Sequence, residues 1–304
     1  MLNAELHCHN IYSNFHTGKL DTPYDSSTGI IEQLEQSLRN KLDLIFITNH
    51  NTLYGYNQMI SYKNNHDKYN SIQIYPAEEI TTSTGEHLLV YGIHNAIKPG
   101  LTVEETLDEA HAQNAISSAP HPFGIIDSLR DKSTYCDLIE IFNSNNIDIF
   151  SNVKAMLFAD EHKIIPVCGS DSHIKSTIGR CMNKIESVNK LDDILYAMKH
   201  GKIKIQKTDY IKEYEMLNYL KYKINNSKDY IANYVSKNYS KFKLIFHLLE
   251  KSYQYNMYNN LWELFYKISI IALQNISFKI NFCDFDITSI KNRNLKSWMY
   301  FILK

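Results

Sequence analysis

The sequence predicts an α/β protein with a helical extension toward its C-terminal end. Three observations carry that expectation. Short apolar runs alternate with helix-length segments through the first two thirds of the chain, nearly every run delivers a His, Glu or Asp to one end, and from Tyr210 the texture turns helical and rich in Tyr, Asn and Lys. Strands alternating with helices imply parallel βαβ units, in a wound sheet or a barrel.

Ala4–Leu6 reads as a brief strand ending at His7, and Leu42–Thr48 as a buried strand preceded by a helix over Ile30–Arg39. Further short strands are expected at Ser71–Pro76, Leu88–Ile93, Ala115–Ala119, Leu138–Phe142 and Ile164–Cys168. Helices are expected at Thr102–Gln113, Ser151–Glu161 and Leu191–His200, and Lys202–Gln206 closes the unit. Beyond it, Ile211, Tyr214, Leu217, Leu220 and Ile224 recur at helical spacing, as do Phe242, Ile245, Phe246 and Leu249. The expected organisation is therefore a barrel or sheet domain over 1–207 and a basic, Tyr/Asn-rich helical region over 208–304. The aromatic stripe of the second region reads as core in preference to a stacking surface for bases.

The formal net charge of −1 hides an asymmetry: residues 1–200 carry 15 Lys and Arg against 25 Asp and Glu, and residues 201–304 carry 17 against 8. Eleven of the 13 histidines lie in the first 173 residues. The basic residues of the back region are spread out, so attraction between the two regions explains them as well as a nucleic-acid partner does. The five cysteines are scattered without a CxxC pair, which argues against a disulfide framework and fits a reducing cytoplasm. The N-terminus has no basic and apolar leader, and the most apolar stretch, Leu261–Leu273, is interrupted by Glu263 and Lys267, too short and too charged for a transmembrane segment.

The polar residues at the run ends are His7 and His9, His50, Glu78 and Glu79, His87, His121, Glu140, Asp171 and His173. In a parallel barrel the C-terminal strand ends meet at one mouth, where loops build the active site. His7-Cys8-His9 puts two imidazoles on one side of an extended backbone with Cys8 on the other, and Asp171-Ser172-His173 repeats the spacing. Imidazole and carboxylate together suit Zn²⁺, Mn²⁺ or Fe²⁺. A lone HxH is weak; the set in register is a strong signal for a metal centre.

The stretches ELHCHNIYSN, FITNHNTLYGY, YPAEEITTSTGEHLLVYG, SAPHPFG, DLIEIFNSNN and CGSDSHIKSTIGR resemble, in order and spacing, the successive motifs of the PHP (polymerase and histidinol phosphatase) superfamily, over roughly residues 3–207. That resemblance implies a distorted (β/α)₇ TIM-like barrel holding two or three divalent metal ions and acting on phosphate esters. It implies that His7, His9 and Asp171 hold one ion, that Glu79 bridges it to a second completed by His87 and His121, and that His50 and His173 hold a third, with His16 as an extra ligand. The pattern departs at Glu5 and Asn49, where relatives usually have Asp, and only Asn14, His16 or Asp21 answers the Asp or His that some relatives carry after the first motif. The third metal position is the one in which this chain is expected to differ.

Two or three such ions suit hydrolysis by a metal-bound hydroxide, which needs no nucleophile from the protein. The absence of a GxSxG elbow and of a P-loop agrees. Arg180, seven residues after His173, is a candidate phosphate contact, because its guanidinium fork matches phosphate oxygens. Asn143 is a candidate pocket residue, and Glu140 a candidate for orienting a ligand histidine. The expected substrate is a small phosphorylated metabolite, a nucleotide or an oligonucleotide end. The alternatives are an amidohydrolase-type metal hydrolase, disfavoured because Glu79 stands where a bridging lysine is needed, and a catalytically weakened scaffold that grips nucleic acid or a partner through its basic tail.

Overall fold

The computed structural model describes residues 1–18, 21–255 and 259–286. Nine strands form one sheet: β1 (Leu2–Glu5), β2 (Leu44–Ile47), β3 (Gln73–Thr81), β4 (His87–Tyr91), β5 (Ile116–Ala119), β6 (Leu138–Asn143), β7 (Ile165–Gly169), β8 (Met182–Ile185) and β9 (Ile203–Lys207). Five helices punctuate them: α1 (Ile30–Arg39), α2 (Tyr54–Asn64), α3 (Val103–Ala112), α4 (Phe150–His162) and α5 (Leu191–Lys199). The strand order is β7-β6-β5-β4-β3-β2-β1-β8-β9.

The sheet curls into a nearly closed barrel. Just past β1 and β7, His9 N–H donates to Ser172 O at 2.9 Å, so the first and seventh strands meet at the mouth. Lower down β8 intervenes, and Asn183 stands in for a ladder partner: its Oδ1 accepts from Cys168 N–H at 3.0 Å and its amide donates to Cys168 O at 2.7 Å.

Strand period dictates what faces inward. Leu44 and Phe46 of β2, Ala77 of β3, Leu89 and Tyr91 of β4, Leu138 of β6 and Val167 of β7 fill the lower barrel, together with Ile194, Leu195 and Met198 of α5. Their neighbours Ile80, Leu88, Val90 and Ile139 point outward against α3 and α4, and Ile45 and Ile47 against Leu34 of α1 and Met59 of α2. Two residues further along the same inner rows come Glu79, His87 and Glu140. The barrel therefore has an apolar floor and a polar upper layer.

The expectation of parallel units throughout is corrected at two places. β4 runs antiparallel to both β3 and β5, and β8 antiparallel to β1 and β9. The cause at β4 is the tight connection 82–86, in which Gly85 takes φ +89° and Thr82 N–H donates to Glu86 O. Only an antiparallel pair can be joined by so short a turn. The reversal places the first residue of β4, His87, beside the end of β3, at the mouth.

Four further helices follow: α6 (Glu213–Asn226), α7 (Lys228–Asn238), α8 (Lys243–Gln254) and α9 (Asn259–Phe282). α9 docks on the barrel through Ile276 and Ile280, which pack with Ile125, and through Ser277 Oγ–H donating to Asp148 Oδ1 at 2.6 Å. α6 to α9 surround an apolar groove of about 870 Å³, and Leu244 and Ile271 stay 70% and 66% exposed. Of the stripe read as core, Ile211 is buried with Met216 and Tyr219, while Leu217, Leu220, Ile224, Phe246 and Leu249 line the open groove, and the side chain of Phe242 lies outside the described residues. No helix among them is long and apolar enough to cross a membrane.

Candidate metal centre

The upper layer brings together all but one of the residues expected to bind metal. His7 and His9 are fully buried on the extended segment after β1, while Cys8 turns away to donate its thiol to Phe46 O. Glu79 sits at the centre. Its Oε2 lies 3.2 Å from His7 Nε2, 3.2 Å from His9 Nε2 and 3.5 Å from His50 Nδ1. Its Oε1 lies 3.0 Å from His87 Nδ1 and 3.1 Å from His121 Nε2. One carboxylate thus faces two sets of imidazoles with its two oxygens, the disposition a bridging ligand needs. Asp171 Oδ1 closes the first set, 3.4 Å from both His7 Nε2 and His9 Nε2.

The third set contains a residue the motif reading missed. Asp25 Oδ1 lies 3.2 Å from His173 Nε2 and 3.9 Å from His50 Nε2, and Asp25 Oδ2 lies 3.7 Å from His9 Nδ1. Asp25 occupies the position for which Asn14, His16 or Asp21 were the candidates. Asn14 is its support, accepting from Asp25 N–H at 2.7 Å and Ser26 N–H at 2.9 Å. Asp21 falls beside His87 and Asp127 in a smaller acidic group. His16 is exposed and belongs to none of the clustered ligand sets found among the described residues, which corrects its assignment as an extra ligand. The physical reason is local: it sits in the turn after Ser13, and its carbonyl is held by Asn51.

Local chain geometry explains how these side chains are aimed. His121 and Asp171 adopt φ +31° and +47°, in the left-handed region that side-chain-bearing residues seldom enter. The turn at His121 is held by its N–H donating to Glu140 Oε2 at 2.9 Å. Glu140 also accepts from His7 Nδ1 at 2.8 Å, leaving Nε2 of His7 directed at the centre. A bulge after Glu140 turns Asn143 inward, where its amide donates to Glu140 and to Asp171 Oδ2 at 3.3 Å. Gly169 is required beside them, because a Cβ there would lie 1.8 Å from Glu140 Oε1. His173 Nδ1 donates to Asp171 O at 2.8 Å, which frees its Nε2 to face Asp25.

The donor set suits divalent cations. His9 Nε2, His50 Nδ1 and His87 Nδ1 face only carboxylate oxygens at 3.0–3.5 Å, off good hydrogen-bond geometry, and His87 Nε2 and Asp25 Oδ2 are buried with no hydrogen-bond partner. Each such group costs about 1–3 kcal/mol in a protein interior. The rings crowd as well: His9 stacks on His173 at 4.4 Å and on His50 at 4.8 Å between centroids. Rings this close cannot all be cationic, but all can be neutral ligands, and cations shared among them would satisfy the orphaned atoms together.

Burial opposes charge on His7, His9 and His87, yet the surrounding carboxylates win. Glu140, Asp171 and Glu79 hold His7 well above the ordinary histidine value, and His9 and His87 are raised to about 9. His50 goes the other way, to about 4, through burial and the neighbouring His9 and His87. Burial is likewise overcome for Asp25, Glu79 and Asp171, which the histidines hold well below the usual carboxylate range. In the metal-free chain, protons on His9 and His87 therefore stabilise the fold fully below about pH 6.5, and that contribution is lost as pH rises through about 9. A cation must expel those protons, so metal affinity is expected to fall as pH drops below about 9. Calorimetric titration at pH 7 in buffers of different ionisation enthalpy should register release of about three protons, from His7, His9 and His87.

A second expectation isolates the third ligand set. On the expectation of a separate ion in this set, Asp25→Asn should lower metal stoichiometry by one, measured after gel filtration; unchanged stoichiometry would show that Asp25 holds no metal.

Arg180 lies apart from this layer. Its guanidinium donates to Glu215 Oε2 at 2.6 Å and to Asp209 at 3.1 Å, and it does not line the cavity above the centre. Glu5 is buried among donors from Ser170 and Gly179, and burial raises its pKa to about 7.

Above the centre lies a cavity of about 280 Å³, lined on one side by the loop 124–127 and on the other by Met216, Tyr219 and Lys223 of α6. Tyr219 packs its ring 5.1 Å from that of His173. Tyr222 donates to Ser26 O at 2.9 Å, next to Asp25.

Residues 150–203 match a family model described as PHP-associated. Two uncharacterised proteins of Methanocaldococcus jannaschii are similar: one is 28% identical over 158 residues, 49% of this chain and 60% of its own length, and the other 29% identical over 157 residues, 50% and 88%. The match thus spans less than two thirds of the first relative. Among solved structures, PsfC from Pseudomonas syringae has a TM-score of 0.49 at 16% identity, covering 73% of this chain and 97% of that one. A lesion-specific endonuclease from Pyrococcus furiosus has a TM-score of 0.48 at 18% identity, covering 67% and 57%. In its ordered motifs and in its PHP-associated segment, which contains Asp171 and His173, the chain resembles the PHP superfamily.

Proposed function

We propose that this chain is a metal-dependent hydrolase of phosphate esters. The observation that supports it most is the position of Glu79, whose two oxygens face separate imidazole sets, with a third set around Asp25 a few ångströms away. In this reading His7, His9 and Asp171 hold one divalent ion, His87 and His121 a second with Glu79 between them, and His50, His173 and Asp25 a third. Zn²⁺, Mn²⁺ and Fe²⁺ all suit such nitrogen and oxygen donors. Bound there, the ions would supply Lewis acidity toward phosphoryl oxygens and lower the pKa of a water. The protein's part is positional: Glu140 aims His7, Asp171 O aims His173, and the loop 124–127 and α6 wall off solvent.

We assign the metal unit to residues 1–207 and the wall of the cavity in part to the helical region 208–304. A space of about 280 Å³ favours a small phosphorylated molecule or a chain end over the side of a duplex. The test is a panel of phosphomonoesters and phosphodiesters offered to metal-loaded and chelator-stripped protein. Turnover that chelation abolishes and Zn²⁺, Mn²⁺ or Fe²⁺ restores is the expected result. Full metal content with no turnover of any ester would refute it.

A further inference from the structure

The sequence pointed to Arg180 as the cation for a substrate phosphate, but Arg180 is bound up with Glu215 and Asp209. The cavity above the centre is lined by the carboxylates of Asp21, Asp25, Glu79, Asp127 and Asp171 as well as by histidines. Among the described lining residues, Lys223 is the only lysine or arginine.

Lys223 is placed by the geometry of α6. Met216, Tyr219 and Lys223 follow at intervals of three and four, so they share one helix face, and that face forms a wall of the cavity. The Lys223 ammonium lies 5.2 Å from the centre of the Tyr219 ring, a cation–π distance. Tyr219 itself is fixed, 8% exposed and packed on His173. Tyr222 anchors the same turn to Ser26, and Glu215 anchors the turn before it to Arg180. Lys223 is half-buried, with its ammonium beside the Tyr219 ring that packs on His173, and among the described residues no carboxylate lies within ion-pair distance of it.

We propose that Lys223 is the phosphate-binding and specificity-determining residue of this site, selecting a terminal phosphate on a small molecule or chain end. This rests on the phosphoesterase reading above. Three terminal oxygens of a monoester can meet both the metal side and the ammonium, whereas an internal diester offers two free oxygens and must run both its flanks out of a space of about 280 Å³.

The test uses the whole metal-loaded chain of residues 1–304 and inorganic phosphate as probe. Lys223→Met should weaken phosphate binding, measured by calorimetry, by about ten- to a hundredfold, as expected for loss of one charge-assisted hydrogen bond. Lys223→Arg should restore most of it, and metal stoichiometry should not change in either variant. With p-nitrophenyl phosphate the Lys223→Met change should fall on KM; with bis(p-nitrophenyl) phosphate it should be small. Wild-type phosphate affinity in a metal-replete Lys223→Met protein, or no phosphate binding by the wild type, would overturn the assignment. Phosphate binding that depends on Lys223 without hydrolysis of any ester would instead count against the phosphoesterase reading and leave Lys223 as the phosphate ligand.

Discussion

Glu79→Ala is expected to abolish hydrolysis and to strip the centre of most of its metal. No other side chain touches so many members of the cluster: five imidazoles lie within 3.5 Å of its two oxygens. On the reading proposed above, removing it would take a shared ligand from two neighbouring imidazole sets at once, together with the negative charge that faces both. Metal assistance is worth several kcal/mol of transition-state stabilisation, so the loss in kcat/KM should be about a thousandfold or more. Glu79→Gln keeps the volume and one oxygen acceptor but not the charge, and should fall nearly as far. Elemental analysis of the purified variants beside initial rates decides it. A Glu79→Ala protein that retains its full complement of metal would show that Glu79 is not the bridge.

The second large effect concerns stability. Arg180→Met removes the cation facing Glu215, a carboxylate whose side chain is only 2% exposed. Breaking a buried ion pair from one side typically costs about 3–5 kcal/mol, because the remaining charge is left in a poor solvent. Asp209 adds little to this, being 53% exposed and screened by water. Replacing both partners, Arg180→Met with Glu215→Leu, should recover most of the loss, since an apolar pair of similar volume has no charge to strand. Urea denaturation of the wild type, the single variant and the double variant measures each term. Unaltered stability in Arg180→Met, with a raised KM, would return Arg180 to the phosphate-binding role that sequence alone suggested.

The two variants mark where local sequence is informative and where it is not. α1 has the bounds its pattern predicts, Ile30–Arg39, because its apolar residues repeat at helical spacing and Glu32 accepts from Gly29 N–H at its start. α2 went unpredicted: over Tyr54–Asn64 it buries only Gly55 and Met59, so no stripe rises above its Asn, Gln, Ser and Lys. β8 was missed for a similar reason, a four-residue Met-Asn-Lys-Ile run that the partnership of Asn183 with Cys168 makes into sheet. The reversal of β4 had a visible sign in the Ser-Thr-Gly-Glu turn before His87.

At the site, the strand-end residues were legible because strand period and barrel geometry aim them together without knowledge of any loop. Asp25 was not, since it follows no apolar run. Its place depends on Asn14 reaching across the loop and on Tyr222 from a helix 196 residues further along holding Ser26. The role of Arg180 was hidden in the same way, because Glu215 is 35 residues away on an element of its own. Spacing reveals what one strand presents, and it is silent about which distant helix claims a side chain.

Asn49, beside His50, carries a consequence of a different kind. Its Oδ1 accepts from Asn10 N–H at 2.9 Å and its amide donates to Asn10 Oδ1 at 2.8 Å, while Asn10 in turn donates to Gln33. Gly55 is packed against this pair so closely that a Cβ would come within 2.1 Å of Asn49 Nδ2. An aspartate at 49 would set two acceptors against each other, and Asn10 could relieve that only by giving up Gln33 and the Tyr12 N–H. Positions 10, 33, 49 and 55 should accordingly drift through evolution as one covarying set, so that homologues with Asp at 49 carry changed residues at 10 or 33. An alignment in which those columns vary independently would dissolve the set.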